Sequence, residues 1–145
     1  MNIKISAFTL ALFLCLNTLV SAQNPAGKTF TKAFNTEGKG TIRLELPGIV
    51  DLKIWDSPSI RCEISAVLPG TNGSMLNELA NIGRYNLVSK VEGDVLIITA
   101  PNLQKQLKVK GEEIKESMTY VVYVPKDLQI EMLPANTTAL AEVKK

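Results

Sequence analysis

The strongest constraint on the fold is a strict alternation of apolar and polar side chains over residues 41–65. The apolar members of the alternation are Ile42, Leu44, Leu46, Val50, Leu52, Ile54, Ile60, Cys62 and Ile64. Turn signals at Pro47-Gly48 and at Asp56-Ser57-Pro58 divide the pattern into three runs. Because successive side chains of a strand point to opposite faces, each run predicts a short strand with one face on a core and the other in water. The connections are too short for parallel crossovers, so we expect these strands to be antiparallel neighbours or stacked turns.

Residues 75–82 change to a helical period. Met75, Leu79 and Ile82 recur at i, i+4 and i+7, which places them on one face of a short helix. Ser74 is the predicted N-cap, and Gly83 is predicted to close the helix in a left-handed conformation. A helix of this length is marginal alone, so we expect its apolar face to dock on the sheet.

Further strands are predicted after the helix, at residues 85–91, 95–99, 117–124 and 128–132, with Pro134 ending the last. Residues 95–99 are apolar on both faces, which is typical of a covered central strand. Residues 103–116 are rich in Lys, Gln and Glu and predict a charged loop or an exposed ribbon. The whole pattern predicts a mostly β fold: antiparallel strands in a sandwich-like or solenoid-start arrangement, with one short amphipathic helix packed on the sheet.

Residues 1–22 carry the features of a signal peptide. Lys4 supplies a positive charge, residues 5–20 are almost wholly apolar, and small residues precede Gln23, the expected first residue after cleavage. We therefore expect an exported protein of the periplasm or cell surface that does not span the membrane. The expected division beyond the signal is an N-terminal segment over 23–40, a single β-rich domain over 41–134 and a flexible tail over 135–145.

Composition argues against several classes of function. The chain has no His, which is the commonest general base near neutral pH and the commonest transition-metal ligand. Removing the signal takes Lys4 from the 16 basic residues and leaves 15 against 14 acidic ones, a balance that gives no reason to expect nucleic acid as a partner. We expect no cofactor, no metal site and no catalytic residue, and we do not expect an enzyme.

The remaining reactive groups favour structural roles. Cys62, the one cysteine beyond the signal, falls on an inward strand position, which predicts a small buried hydrophobe rather than a nucleophile. Two groups of carboxylates are candidates for a joint role: Asp51 with Asp56, and Glu112 with Glu113 and Glu116. Their places on a polar strand face or in a charged loop predict solvated side chains rather than an acid–base pair or a calcium site.

Aromatic residues are the remaining candidates for a binding site. Trp55 falls on the outward phase of its strand, and Tyr123 falls on the phase opposite to Tyr120. Trp55 and Tyr123 are therefore a possible interaction surface for a protein or a sugar ring. The alternative is that Trp55 is covered by the helix or a loop, because the helix must pack on something.

Two stretches, "NGSMLNELANIGRYNLVSKVEGDVLIITAP" and "MTYVVYVPKDLQIEM", follow the order of short strands, helix and aromatic strand. With the strands that precede them, they resemble the opening region of the putative adhesin domain family of bacterial envelope proteins, relatives of the head-GIN domain of auto-transporter-like adhesins. The resemblance runs from about Thr41 to Met132. It implies an exported domain of unassigned function, and no catalytic motif is carried over. In the family this region leads into a β-solenoid with Gly-containing turns, whereas the 13 residues after Met132 contain no Gly.

These observations predict a non-catalytic binding or interaction domain of the bacterial cell envelope. The expected partner is an envelope protein or a glycan, and self-association through an exposed strand edge is a further possibility. The alternative is a carrier or sensor that holds a small apolar ligand between the helix and the sheet, lined by Met75, Leu79 and Trp55. An enzyme comes third, and would need convergent carboxylates in a cleft.

Overall fold

The structure, a computed structural model, describes residues 26–132. This range contains ten strands, one α-helix and one short 3-10 helix. The elements are β1 (Ala26–Asn35), β2 (Thr41–Glu45), β3 (Ile49–Trp55), β4 (Ser59–Leu68), α1 (Gly73–Asn81), β5 (Val88–Glu92), β6 (Val95–Thr99), the 3-10 helix (Pro101–Gln104), β7 (Lys108–Val109), β8 (Glu112–Glu113), β9 (Ser117–Pro125) and β10 (Gln129–Met132). The predicted mostly β fold with one short helix is confirmed. The predicted signal at 1–22 and tail at 135–145 lie outside the described residues.

The strands form two four-stranded sheets and a small hairpin. Sheet A has the order β1-β4-β9-β3, and sheet B has the order β10-β2-β6-β5. The pairs β1–β4, β4–β9 and β5–β6 are antiparallel, whereas β3–β9, β2–β6 and β10–β2 are parallel. The hairpin is β7–β8, which confirms an exposed ribbon within residues 103–116.

The first of the two arrangements expected for the three strands over residues 41–65, antiparallel neighbours, is wrong. The Pro47-Gly48 turn carries the chain from β2 in sheet B to β3 in sheet A, and β9 lies between β3 and β4. Gly48 has φ +125°, and a Cβ built there would lie 2.5 Å from the carbonyl oxygen of Met118. This crossing therefore depends on the absence of a side chain at position 48.

The core lies between the two sheets, as the alternation predicts. Its fully buried members include Ile42 and Leu44 from β2, Leu96 and Ile98 from β6, Ile60 and Cys62 from β4, and Tyr120 and Val122 from β9. In β6, Ile97 points to the opposite face and is still only 1% exposed. Its register partners there are Arg43 and Lys90. The prediction that residues 95–99 form a deeply buried central strand is confirmed.

The helix forms at the predicted place, but its buried face and its N-cap differ from the prediction. Leu76 and Leu79 are buried, whereas Ile82 follows the helix and is 76% exposed. Asn72 rather than Ser74 is the N-cap, because its side-chain oxygen accepts a hydrogen bond from the Met75 backbone N–H. Gly83 has φ +80°, so it adopts the predicted left-handed conformation just beyond the helix.

A second apolar cluster joins the helix to one end of sheet A. Its buried members are Ala66, Leu68, Leu76, Leu79 and Tyr85, and Phe30 of β1 stacks on Tyr85 with ring centroids 5.1 Å apart. Ala66 and Leu68 point to the same face of β4 as Ile60 and Cys62. The helix therefore covers the face of sheet A that also packs on sheet B. The outer face of sheet A points the other way.

Candidate functional site

Adjacent parallel strands bring Trp55 and Tyr123 together on the outer face of sheet A. Lys53 is the register partner of Tyr123, and Trp55 is the partner of Pro125. Both aromatic side chains therefore have the phase opposite to the buried Tyr120, Val122 and Val124 of β9. Their ring centroids are 5.5 Å apart with an interplanar angle of 44°. The sequence predicted the outward phase for Trp55 and the phase opposite to Tyr120 for Tyr123, and the structure adds that the two rings touch.

Arg61 of β4 lies over both rings. It is the register partner of Tyr123 on the other side of β9. The guanidinium carbon Cζ is 4.2 Å from the Tyr123 ring centroid and 5.0 Å from that of Trp55. These are cation–π distances, and Glu63 holds the guanidinium from one side with an Nη2–Oε1 distance of 3.1 Å. Arg61 thus joins the two rings into one unit.

Hydrogen bonding fixes the edge of the indole ring. Trp55 Nε1 donates to the Ser59 carbonyl oxygen at 2.8 Å, across the turn between β3 and β4. The indole is half-buried by these contacts. Lys53 completes the group, with Nζ 5.8 Å from the Tyr123 ring centroid. We call Trp55, Tyr123, Arg61 and Lys53 the aromatic patch.

The patch does not lie beneath the helix. The helix packs on the inner face of sheet A, through Ala66 and Leu68, whereas the patch is on the outer face. Met75, Leu79 and Trp55 are therefore not brought together, and the predicted lining of a ligand cavity by these three residues is wrong. A cavity of about 310 Å³ does adjoin the C-terminal end of the helix, between Ala80, Phe30, Tyr85 and Leu87.

A further cavity lies beside the β7–β8 hairpin. It has a volume of about 540 Å³, with an apolar lining from Leu103, Leu107, Ile114 and Met118 and a charged wall formed by Arg84, Glu116, Lys105 and Lys115. Arg84 and Glu116 in this wall form a buried ion pair, with side chains 9% and 7% exposed. The prediction that Glu116 is a solvated loop residue is therefore wrong.

Glu116 is buried because several donors satisfy its carboxylate. Arg84 donates from Nε and Nη2, and the Tyr85 hydroxyl donates to Oε1 at 2.9 Å. Burial and the hydrogen bond to Glu116 raise the pKa of Tyr85. The remaining Arg84 donor, Nη1, binds the carbonyl oxygens of Asn102 and Lys105. Every group in this network already has a partner within the chain, so its geometry fits a structural clamp.

Sequence reasoning missed this clamp. The two charges are 32 positions apart, and Glu116 lies in a run of charged residues that looks uniformly solvated. The available signal was local: Arg84 and Tyr85 directly follow the glycine that ends the helix, and Glu116 directly precedes the strand β9. A charge that is buried when these elements pack needs a partner, because an unpaired buried charge is costly.

The other candidate reactive groups have the environments that the sequence predicts. Burial raises the pKa of the Cys62 thiol to about 12, so it stays protonated near neutral pH. Glu112 and Glu113 are exposed on β8, and the side chains of Asp51 and Asp56 are 55% and 96% exposed. Among residues 26–132, no group of three His, Cys, Asp or Glu side chains is placed to hold a metal ion. In the same range, no helix has the length and apolar character needed to cross a bilayer.

Comparison with known proteins gives partial matches to two solved structures. No family model matches the sequence, and no curated protein matches it. A putative cell adhesion protein from Clostridium sporogenes ATCC 15579 matches over 73% of this chain and 45% of its own, with 12% identity and a TM-score of 0.38. A putative adhesin from Parabacteroides distasonis ATCC 8503 matches over 71% of this chain and 34% of its own, with 14% identity and a TM-score of 0.33. The chain spans less than half the length of either protein.

Proposed function

We propose that this protein is an exported, non-catalytic binding domain of the bacterial cell envelope, with an adhesin-like role. The observation that carries the proposal is the aromatic patch: a Trp–Tyr pair on the outer face of a sheet, joined by an arginine that stacks on both rings. Large aromatic side chains and arginine are the residue types that contribute most to binding surfaces. The resemblance of the sequence to the putative adhesin domain family implies the same class of role.

The fixed geometry of the patch supports binding rather than simple packing. The Trp55 edge is held by Ser59, and Arg61 is held by Glu63 as well as by the two rings. A partner would therefore meet side chains that are already ordered, so little conformational entropy is lost on binding. An aromatic face next to Arg61 and Lys53 suits a sugar ring with acidic substituents, or a protein surface that presents carboxylates.

The chemistry of the described residues supports a non-catalytic role. Cys62 is buried as a neutral thiol, and the Glu116 carboxylate is held by Arg84 and Tyr85. Neither group is free to act as a nucleophile or a general base.

Co-sedimentation with isolated bacterial envelope fractions tests the proposal. The processed chain, residues 23–145, should sediment with the fraction that holds its partner, and Trp55→Ala should reduce the bound amount at least about tenfold, as loss of a central aromatic anchor does. Ile82→Ala is the matched control, because it removes an exposed apolar side chain away from the patch. Protease treatment of the fraction separates a protein partner from a glycan. Equal binding by the Trp55→Ala variant and the wild type would contradict the proposal.

A further inference from the structure

Strand β3 is an edge of sheet A, and it has exposed apolar side chains. It pairs with β9 on one side, and no strand within residues 26–132 pairs with its other side. Ile49 and Ile54, near its two ends, are 69% and 62% exposed. An open edge with exposed apolar side chains is a template for another strand.

The sequence of β3 is complementary to itself when one copy is reversed. Leu52 is the midpoint of this seven-residue strand. If two copies pair antiparallel about Leu52, Asp51 of each copy lies opposite Lys53 of the other, on the same face. Ile49 then lies opposite Trp55 of the second copy, which gives an apolar pair. Parallel pairing in register would instead place each charge opposite its own kind.

We propose that two copies of this chain associate through antiparallel pairing of β3 about Leu52. The two four-stranded A sheets then form one continuous sheet with a two-fold axis perpendicular to it. The side chains of Asp51 and Lys53 are 55% and 50% exposed, and the two are 3.8 Å apart within one strand. Both side chains are therefore exposed enough to form ion pairs with the second copy.

The other long edge lacks this complementarity. Strand β1 carries Lys28 and Lys32 and no acidic residue. Pairing with a second copy would therefore bring lysines together in the antiparallel as well as in the parallel direction. Strand β5 does carry a complementary pair, Lys90 and Glu92. However, the turn at Gly93 follows directly, so pairing about Val91 would involve only a few residues.

The proposed dimer does not depend on the proposed binding role, but it would place two aromatic patches in one assembly. Because the two-fold axis is perpendicular to the sheet, both aromatic patches face the same side. The two Trp55 residues lie six positions apart along the paired strands, or roughly 20 Å at the usual strand rise. Two sites at that spacing would bind a repetitive surface with greater avidity than one.

Charge reversal tests the interface. Sedimentation equilibrium of the processed chain should show a monomer–dimer equilibrium. Asp51→Lys and Lys53→Asp should each weaken the dimer by about tenfold or more, because each places two like-charged pairs across the two-fold axis. An equimolar mixture of the two variants should recover a heterodimer, since one copy is then basic and the other acidic at both positions.

Glu92→Lys is the matched control, because it makes the same charge change as Asp51→Lys at the other sheet's edge. It should leave the dimer unchanged, and circular dichroism should show that all variants keep the fold. A wild-type protein that stays monomeric at millimolar concentration would overturn the inference. Dissociation by Glu92→Lys instead of Asp51→Lys would also overturn it, as would a mixture of Asp51→Lys and Lys53→Asp that stays monomeric. A monomeric Asp51→Lys variant keeps the patch residues Trp55 and Tyr123, so failure of the dimer and failure of envelope binding are distinguishable.

Discussion

The Arg84 guanidinium and the Glu116 carboxylate meet at an Nη2–Oε2 distance of 2.5 Å, although both side chains are less than 10% exposed. Arg84 also holds the carbonyl oxygens of Asn102 and Lys105, and Tyr85 donates to the same carboxylate. One ion pair thus connects the residues after the helix, the 3-10 turn and the start of β9. It also forms part of the wall of the cavity beside the β7–β8 hairpin.

Removing one partner of this pair should be costly. Glu116→Ala leaves the Arg84 charge buried without its counterion, and breaking a buried pair in this way costs about 3–5 kcal/mol of unfolding free energy. Glu113→Ala, at an exposed position in the hairpin, should change it by less than about 0.5 kcal/mol. Urea unfolding of both variants measures the difference. Equal stabilities would show that the pair contributes nothing.

The crossing between the two sheets should be intolerant of a side chain at Gly48. Gly48→Ala adds a Cβ 2.5 Å from the Met118 carbonyl oxygen at a backbone φ of +125°. Backbone strain at such a position should lower the unfolding free energy by about 1–3 kcal/mol, and the steric conflict should add to this. Gly73→Ala is the control, because nothing lies within 4 Å of a Cβ there. A thermal midpoint for Gly48→Ala equal to that of Gly73→Ala would contradict the described crossing.

The helix should be held by Leu76 and not by Ile82. Leu76→Ala removes a side chain that is 1% exposed in the second apolar cluster, so it should cost about 2–5 kcal/mol. Ile82→Ala, at 76% exposure, should cost less than about 0.5 kcal/mol. Chemical denaturation compares the two. The opposite ranking would restore the helical face predicted from the i, i+4, i+7 pattern.

Cys62 should make stability fall at alkaline pH. Burial raises the pKa of its thiol from 9.0 to about 12, so between these pH values the unfolded chain loses a proton that the folded chain keeps. Stability is therefore fully present below pH 9 and should decrease as pH rises; at pH 10 the loss from this group is about 1.4 kcal/mol. Cys62→Ala removes the contribution, so its unfolding free energy should change less between pH 8 and pH 10 than that of the wild type. Equal pH dependence in the two proteins would contradict a buried thiol.

The period-two pattern was sufficient to place β2, β3, β4 and β9, because burial of one face imposes alternation whichever strand is the neighbour. It assigned Cys62 to the core, where the side chain is fully buried, and it gave the strand phase of Trp55 but not whether another element covers the ring. It could not specify pairing, since the pattern of β3 is the same whether β4 or β9 lies beside it. The parallel β3–β9 pair joins residues about 70 positions apart, and local sequence carries no signal for such a contact.

The same limit explains the misplaced helix face and the missed clamp. Ile82 continues the apolar spacing of Met75 and Leu79, but the helix ends at Asn81, so Ile82 turns to solvent. A helix face with Leu76 and Leu79, at i and i+3, fits the sequence as well as the predicted face does. Only the position of sheet A decides which of the two faces is buried. Glu116 is buried because it pairs with Arg84, and this contact between distant residues forms only in the folded chain. Likewise, strand β1 within the 23–40 segment has few apolar residues, and its pairing with β4 accounts for its formation.

The most direct test of the proposed binding role uses Trp55 itself, because it is the only tryptophan in the chain. Replacing it biosynthetically with 5-hydroxytryptophan gives a fluorophore that can be excited apart from the tryptophan of other proteins. Iodide quenching of this fluorophore is then measured with and without the envelope fraction that the protein sediments with. We predict that quenching falls on binding, because the partner covers the patch. Full binding with unchanged quenching would show that the partner contacts another surface and would contradict the proposed role of the patch.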